Sequence, residues 1–120
     1  MTGNGDLHAK NVSVLQREGE WRVSPIYDIP STLPYGDHTL ALTVGGRPGA
    51  LSRRKLLDFG VGLGLPPAAI VLAVEEVLDV TADVPERIGA GAVPFAESLC
   101  RNLKRQLARR RRDLAVRMKV

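Results

Sequence analysis

A chain of 120 residues, 44% hydrophobic and 25% charged, is the size of one domain, and by size scaling it can bury roughly two-thirds of its unfolded surface in one modest core. It has no apolar run of about eighteen residues, and Met1-Thr2-Gly3-Asn4-Gly5-Asp6 lacks the basic and apolar regions of a signal peptide, so no membrane contact and a cytoplasmic location are expected. The single Cys100 excludes an internal disulfide, and two histidines, His8 and His38, exclude a zinc cluster of the usual ligand spacing. The formal net charge of +4 is uneven: residues 1–46 carry three basic and five acidic side chains, residues 47–98 five and seven, and residues 99–120 nine and one. The positive excess therefore belongs to the C-terminal segment, which becomes the candidate contact for an acidic partner.

The first eleven residues are rich in glycine, asparagine, aspartate and histidine and show almost no apolar periodicity, which predicts a loop. Asn11 to Leu15 and Trp21 to Ser24 alternate as short strands around the polar, glycine-containing Arg17-Glu18-Gly19-Glu20, which predicts a hairpin. Pro25 to Pro30 and an irregular stretch to Asp37 follow, and Leu40-Ala41-Leu42-Thr43-Val44 is a further candidate strand closed by Gly45-Gly46.

From Ser52 the period changes. Ser52 can cap a helix with Leu56, Phe59 and Leu63 on one stripe, ended by Gly64 and Pro66-Pro67. A second helix is predicted from about Pro67 to Val80, with Ile70, Val74, Val77 and Leu78 as its buried side. A third is predicted to start between Pro85 and Pro94, with Phe95, Leu99, Leu103 and Leu107 as an apolar seam and the basic residues on its other faces. The expected organisation is α+β in one structural domain, with residues 1–46 as a loop and hairpin head and residues 47–120 as a helical body.

The chemistry concentrates in the head. Asp6 stands five positions before Asn11, the spacing of the catalytic loop of protein kinases, and after the hairpin Asp28 follows an apolar and an aromatic residue, Ile26-Tyr27-Asp28. A phosphoryl transfer needs a carboxylate to accept the proton of the attacking hydroxyl, and magnesium needs hard oxygen ligands such as an amide and a carboxylate. Gly3-Asn4-Gly5-Asp6-Leu7-His8-Ala9-Lys10-Asn11, followed by Trp21-Arg22-Val23-Ser24-Pro25-Ile26-Tyr27-Asp28-Ile29, closely resembles the core of the HipA-like serine/threonine kinases, the toxins of type II toxin–antitoxin pairs. The resemblance is firm to Gly46 and looser over the helices.

That resemblance implies a kinase-like C-lobe in which Asp6 is the catalytic base and Asn11 and Asp28 hold magnesium with ATP. Lys10 would stabilise charge on the transferred phosphoryl group, and His8 would organise the loop. The implied partners are a protein substrate with serine or threonine and an antitoxin. In kinases the nucleotide-covering loop and the phosphate-positioning lysine precede the catalytic loop, whereas here only Met1 and Thr2 precede Gly3, so the chain alone is expected to be inactive. The rival expectation is a non-catalytic pseudokinase remnant that binds an antitoxin-like protein or nucleic acid through Arg109, Arg110, Arg111 and Arg112. Against that rival, an arginine run is usually a solvated helix face, and the interleaved aromatic residues of a single-strand binder are absent. His38 carries no assigned role, and Cys100 reads as a semi-buried, inert thiol.

Overall fold

The computed structural model describes residues 2–49 and 51–116, and over them the chain forms an antiparallel hairpin followed by four helices, an α+β arrangement. Two of the basic residues of the C-terminal segment, Arg117 and Lys119, lie outside the described residues.

The hairpin pairs β1 (Val14–Arg17) with β2 (Glu20–Val23) in the register Val14 to Val23, Leu15 to Arg22, Gln16 to Trp21 and Arg17 to Glu20. Glu18 and Gly19 join them with φ of 54° and 83°, the left-handed pair of a type I′ turn whose twist matches that of the strands. Because this turn uses only two residues, pairing runs up to Arg17 and Glu20, closer to the turn than the sequence predicts. At the other end Asn11 does not join the strand. Its amide donates to His8 O at 2.9 Å, closing a 3-10 turn over Ala9–Asn11.

The strand expected over Leu40 to Val44 does not form. Gly45 and Gly46 have φ of 57° and 73° and fold the chain back so that Val44 bridges only Arg47, while Leu40 N donates to Pro48 O at 2.6 Å. Apolar alternation supplies the faces of a strand but not a neighbour to complete its ladder, and here the segment's own turn takes up the backbone groups.

α1 (Arg53–Gly62) starts where expected: the Ser52 side chain accepts the Lys55 amide at 3.4 Å. Its end is a Schellman closure, with Gly64 at φ 83°, Gly64 N on Val61 O and Leu65 N on Gly60 O. α2 (Pro67–Val80) has the predicted bounds and buries Ile70, Val74 and Leu78. Three members of the predicted apolar stripes are exposed instead: Phe59 at 39%, Leu63 at 64% and Val77 at 42%. For the two on α1 the reason is Gly60, over which Ile70 packs so closely that a Cβ there would lie 2.6 Å from Ile70 Cδ1. The close approach turns the Arg53, Leu56 and Gly60 side of α1 towards its neighbours and leaves Phe59 and Leu63 outside.

The predicted third helix is two. α3 (Val84–Gly89) ends before Gly91, whose φ is 87°, and α4 (Glu97–Ala115) begins after Pro94, which cannot continue a helix from the residue before it. The predicted seam holds: Leu103 and Leu107 of α4 form a core cluster with Leu33, against which Val84, Ile88, Phe95 and Leu99 pack. Leu33 belongs to a 3-10 turn (Leu33–Tyr35) that follows the hairpin, so this cluster joins head to body. A second cluster gathers Val74, Leu78 and Leu114 with Leu56. Cys100 is buried, its thiol directed to Phe95 O at 3.5 Å.

Two arginines tie the helices together. Arg53, only 7% exposed, bonds Glu75 of α2 at 2.7 Å and reaches Leu114 O of α4 at 3.5 Å. Arg111 of α4 donates to Leu78 O at 2.8 Å and to Thr81 Oγ1 at 3.0 Å, satisfying a carbonyl at the end of α2 that lacks a helical partner. The radius of gyration is 15.8 Å, against about 14 Å for a compact domain of this length. Among the described residues no helix is long and apolar enough to cross a membrane.

Two stability predictions follow from these contacts. Glu75→Ala strands a buried guanidinium, whereas Arg53→Met removes the charge and keeps the volume, so the first is expected to cost about 2 kcal/mol and the second less than about 1 kcal/mol. Urea denaturation of both variants measures the order, and equal or reversed costs would refute it. Gly3 has φ of 75°, and a Cβ there would lie 2.5 Å from Leu33 Cγ. Gly3→Ala is therefore expected to lose about 1–3 kcal/mol through backbone strain and overpacking; an unchanged midpoint in the same assay would show that the loop is not seated on Leu33.

Candidate active site

The loop from Gly3 to Asn11 has few apolar side chains, so its shape rests on hydrogen bonds. Asn4 is buried and its Oδ1 accepts the Asp6 amide at 2.9 Å, an Asx turn that fixes the backbone at Asp6 and leaves the Asp6 side chain exposed. His8 Nε2 lies 3.7 Å from Asp6 Oδ1, and His8 Nδ1 is buried without a hydrogen-bond partner. Lys10 is exposed at the end of the loop, and its carbonyl accepts the Tyr27 hydroxyl at 3.4 Å. The same hydroxyl shares a 2.8 Å hydrogen bond with Ser13 Oγ.

Asn11 is buried where the loop meets the hairpin, and its Nδ2 donates to Asp28 Oδ2 at 2.7 Å. The hairpin makes this contact possible across seventeen residues, because it returns the chain and Ser24 N closes on Ser13 O at 2.8 Å. Asp28 has φ of 52°, a left-handed conformation that aspartate tolerates better than most residues.

Asn11 and Asp28 carry the kinds of oxygen that a magnesium ion would take, although the Asn11 amide turns its Nδ2 and not its Oδ1 towards the Asp28 carboxylate. Asn11 Oδ1 is a buried amide oxygen with no hydrogen-bond partner, and it belongs to the side chain that touches the exposed Asp28 carboxylate. An amide oxygen and a carboxylate are hard ligands of the kind magnesium takes together with phosphate oxygens and water. Among the described residues no group of three or more His, Cys, Asp or Glu side chains gathers for a metal.

The four C-terminal arginines separate by role. Arg111 is engaged in the fold, and Arg112 is exposed. Arg109 and the half-buried Arg110 line a groove of about 540 Å³ with His38, Asn102, Gln106 and Asp113. Burial pushes the Arg110 guanidinium below its ordinary pKa. On either side of His38, the Thr39 hydroxyl and amide both donate to Asp37 and hold its carboxyl below the usual range.

Sequence reasoning placed Asn4 and Tyr27 inside the recognised strings without giving either a task. The Asn-x-Asp spacing is a readable sign of an Asx turn. The Tyr27 hydroxyl is not readable in this way, because its partners lie fourteen and seventeen residues away.

The HipA-like C-terminal domain family matches residues 1–85 of the chain. Among solved structures the chain is similar to HipA in the complex of the Shewanella oneidensis MR-1 toxin–antitoxin proteins HipA and HipB with their operator DNA, with 25% identity and a TM-score of 0.68. That match covers 94% of this chain and 28% of the other, so the chain spans little more than a quarter of that relative. A search of curated proteins gave no match. With the family model matched over residues 1–85, most of its length, the chain belongs to the HipA-like C-terminal domain family.

Proposed function

We propose that this chain carries the catalytic and metal-binding part of a HipA-like serine/threonine kinase, acting with nucleotide-gripping elements supplied outside these residues. The observation that supports it best is the 2.7 Å bond between Asn11 and Asp28, which joins two separated motifs at one edge. In this reading the serine or threonine hydroxyl of a protein substrate attacks the γ-phosphorus of ATP, the bond to the ADP oxygen breaks, and the hydroxyl proton passes to the Asp6 carboxylate. Asn11 and Asp28 hold magnesium, which when bound neutralises charge on the phosphates. Lys10 stabilises charge on the transferred group, and His8 restrains Asp6 from the neighbouring position.

A second role, contact with an acidic partner, draws on the groove of Arg109, Arg110 and His38 and on the neighbouring HipA, whose structure includes HipB and operator DNA. Here the chain would meet an antitoxin-like protein or a nucleic-acid backbone. A pseudokinase remnant would keep this contact and lose the transfer.

The transfer is tested with labelled ATP, magnesium and a protein substrate, using the chain alone and the chain joined to the nucleotide-binding half of a HipA-like kinase. The chain alone is expected to give no product above the Asp6→Asn blank, because transfer depends on alignment of a nucleotide that it holds at one edge only. In the joined protein Asp6→Asn is expected to lower kcat by at least about 100-fold while largely sparing nucleotide binding, and Asn11→Ala and Asp28→Ala to raise the magnesium requirement. Full transfer by Asp6→Asn would remove Asp6 from this role. For the second role, Arg109→Gln with Arg110→Gln is expected to weaken binding to duplex DNA and to flatten its salt dependence by about one unit of slope for each phosphate no longer neutralised. An unchanged slope would exclude the groove as a DNA contact.

A further inference from the structure

We infer that Thr32 is a positioning residue for phosphoryl transfer, its amide and hydroxyl clamping Gly3 and Gly5 to the turn anchored by Leu33 and thereby setting where Asp6 stands. The assignment rests on the kinase reading of Asp6.

The clamp is built from one residue's donors and acceptor. Thr32 N donates to Gly3 O at 2.8 Å. Thr32 Oγ1 accepts the Gly5 amide at 3.0 Å, and its single proton is offered to Gly3 O or Asp37 O, each 3.1 Å away. Only a hydroxyl can accept from one backbone group and donate to another at this place, so valine of the same shape cannot replace it and serine can. Ser31 adds a parallel tie, its hydroxyl donating to Thr2 O at 2.7 Å. The fit leaves no room at Gly5, where a Cβ would lie 2.8 Å from Thr32 Oγ1 and 2.4 Å from Asp37 Oδ2.

The clamp is held from below and acts on what lies above. Leu33, the next residue, is 2% exposed and packs on Leu103 and Leu107 of α4, so Thr32 is fixed to the helical body. Gly5 N is held by Thr32 and Asp6 N by Asn4 Oδ1, which makes two consecutive amides immobile just before the Asp6 side chain. The Asp6 carboxylate is exposed, with His8 Nε2 at 3.7 Å as a side-chain neighbour, so its position rests chiefly on its backbone. A general base must stand within hydrogen-bond reach of the hydroxyl it serves, and a displacement of about 1 Å is enough to cost about 100-fold in rate. The Asn11–Asp28 pair is tied separately, through the hairpin and the Tyr27 hydroxyl, so loosening Thr32 leaves the metal-binding pair in place.

The test compares Thr32→Val and Thr32→Ser in two measurements. In the joined protein of the transfer assay, Thr32→Val is expected to lower kcat about 10–100-fold with the KM for ATP changed less than about 3-fold, and Thr32→Ser to restore kcat to within about 3-fold of the parent. In the 120-residue chain itself, amide hydrogen exchange at Gly5 is expected to speed up at least about 10-fold in Thr32→Val and to stay near the parent rate in Thr32→Ser. A folded Thr32→Val protein with full kcat overturns the assignment, as does unchanged Gly5 exchange or an equal loss in both variants. If the parent joined protein gives no transfer above its Asp6→Asn blank, the kinase reading has failed and the role of Thr32 in transfer falls with it. An active parent with an insensitive Thr32→Val isolates the failure to the clamp.

Discussion

Burial of Leu33 between the loop and α4 is the contact on which the arrangement of the head depends. The loop from Gly3 to Asn11 has little apolar surface of its own with which to hold a shape. Gly3 folds over Leu33 in a left-handed conformation, and Leu33 reaches into the cluster of Leu103 and Leu107. Burying a leucine side chain is worth about 1.5–3 kcal/mol, enough to hold a short polar loop when hydrogen bonds give it direction. Those bonds come from residues whose side chains imitate backbone groups: Asn4 on Asp6, Thr32 on Gly5 and Asn11 on Asp28. A rigid body thus carries a polar edge, the usual division between scaffold and loop.

Charge is used in different ways along the helical body. Arg53 is almost wholly buried and is tolerated because Glu75 and a carbonyl of α4 receive its guanidinium. Arg111 lies within a basic run that looks like solvated surface, yet its position on α4 faces the open end of α2. Arg109 and Arg110 lie to one side of it and face the groove beside His38. At 100° per residue, four consecutive arginines on a helix cannot all share one environment.

The core that holds this together is thin. Among the described residues two small clusters hold most of the buried apolar side chains, and the hairpin contributes to neither: Val12, Val14, Trp21 and Val23 are all more than half exposed. Exposed apolar residues on both strands of a hairpin suit a surface that is covered by further protein.

Local chemistry was enough to place several features from sequence. Ser52, the glycine after α1 and Pro67 mark helix ends through bonds within a few residues, and four-residue spacing identified the Leu103–Leu107 seam of α4 and the Ile70, Val74 and Leu78 side of α2. The spacing of Asp6, Asn11 and Asp28 was readable because it reflects a recognised string. Tertiary structure decided what depends on partners distant in the chain. Leu40 to Val44 alternates like a strand but finds no neighbour, and the stripe of α1 turned because Gly60 admits Ile70. Thr32 and the Tyr27 hydroxyl act on residues seen beside them only once the chain has folded, and Arg111 parted from its neighbours because α2 ends next to it. Bonds within one helical turn are written in adjacent residues, whereas which face is covered and which polar atom finds a partner follows from how the elements pack.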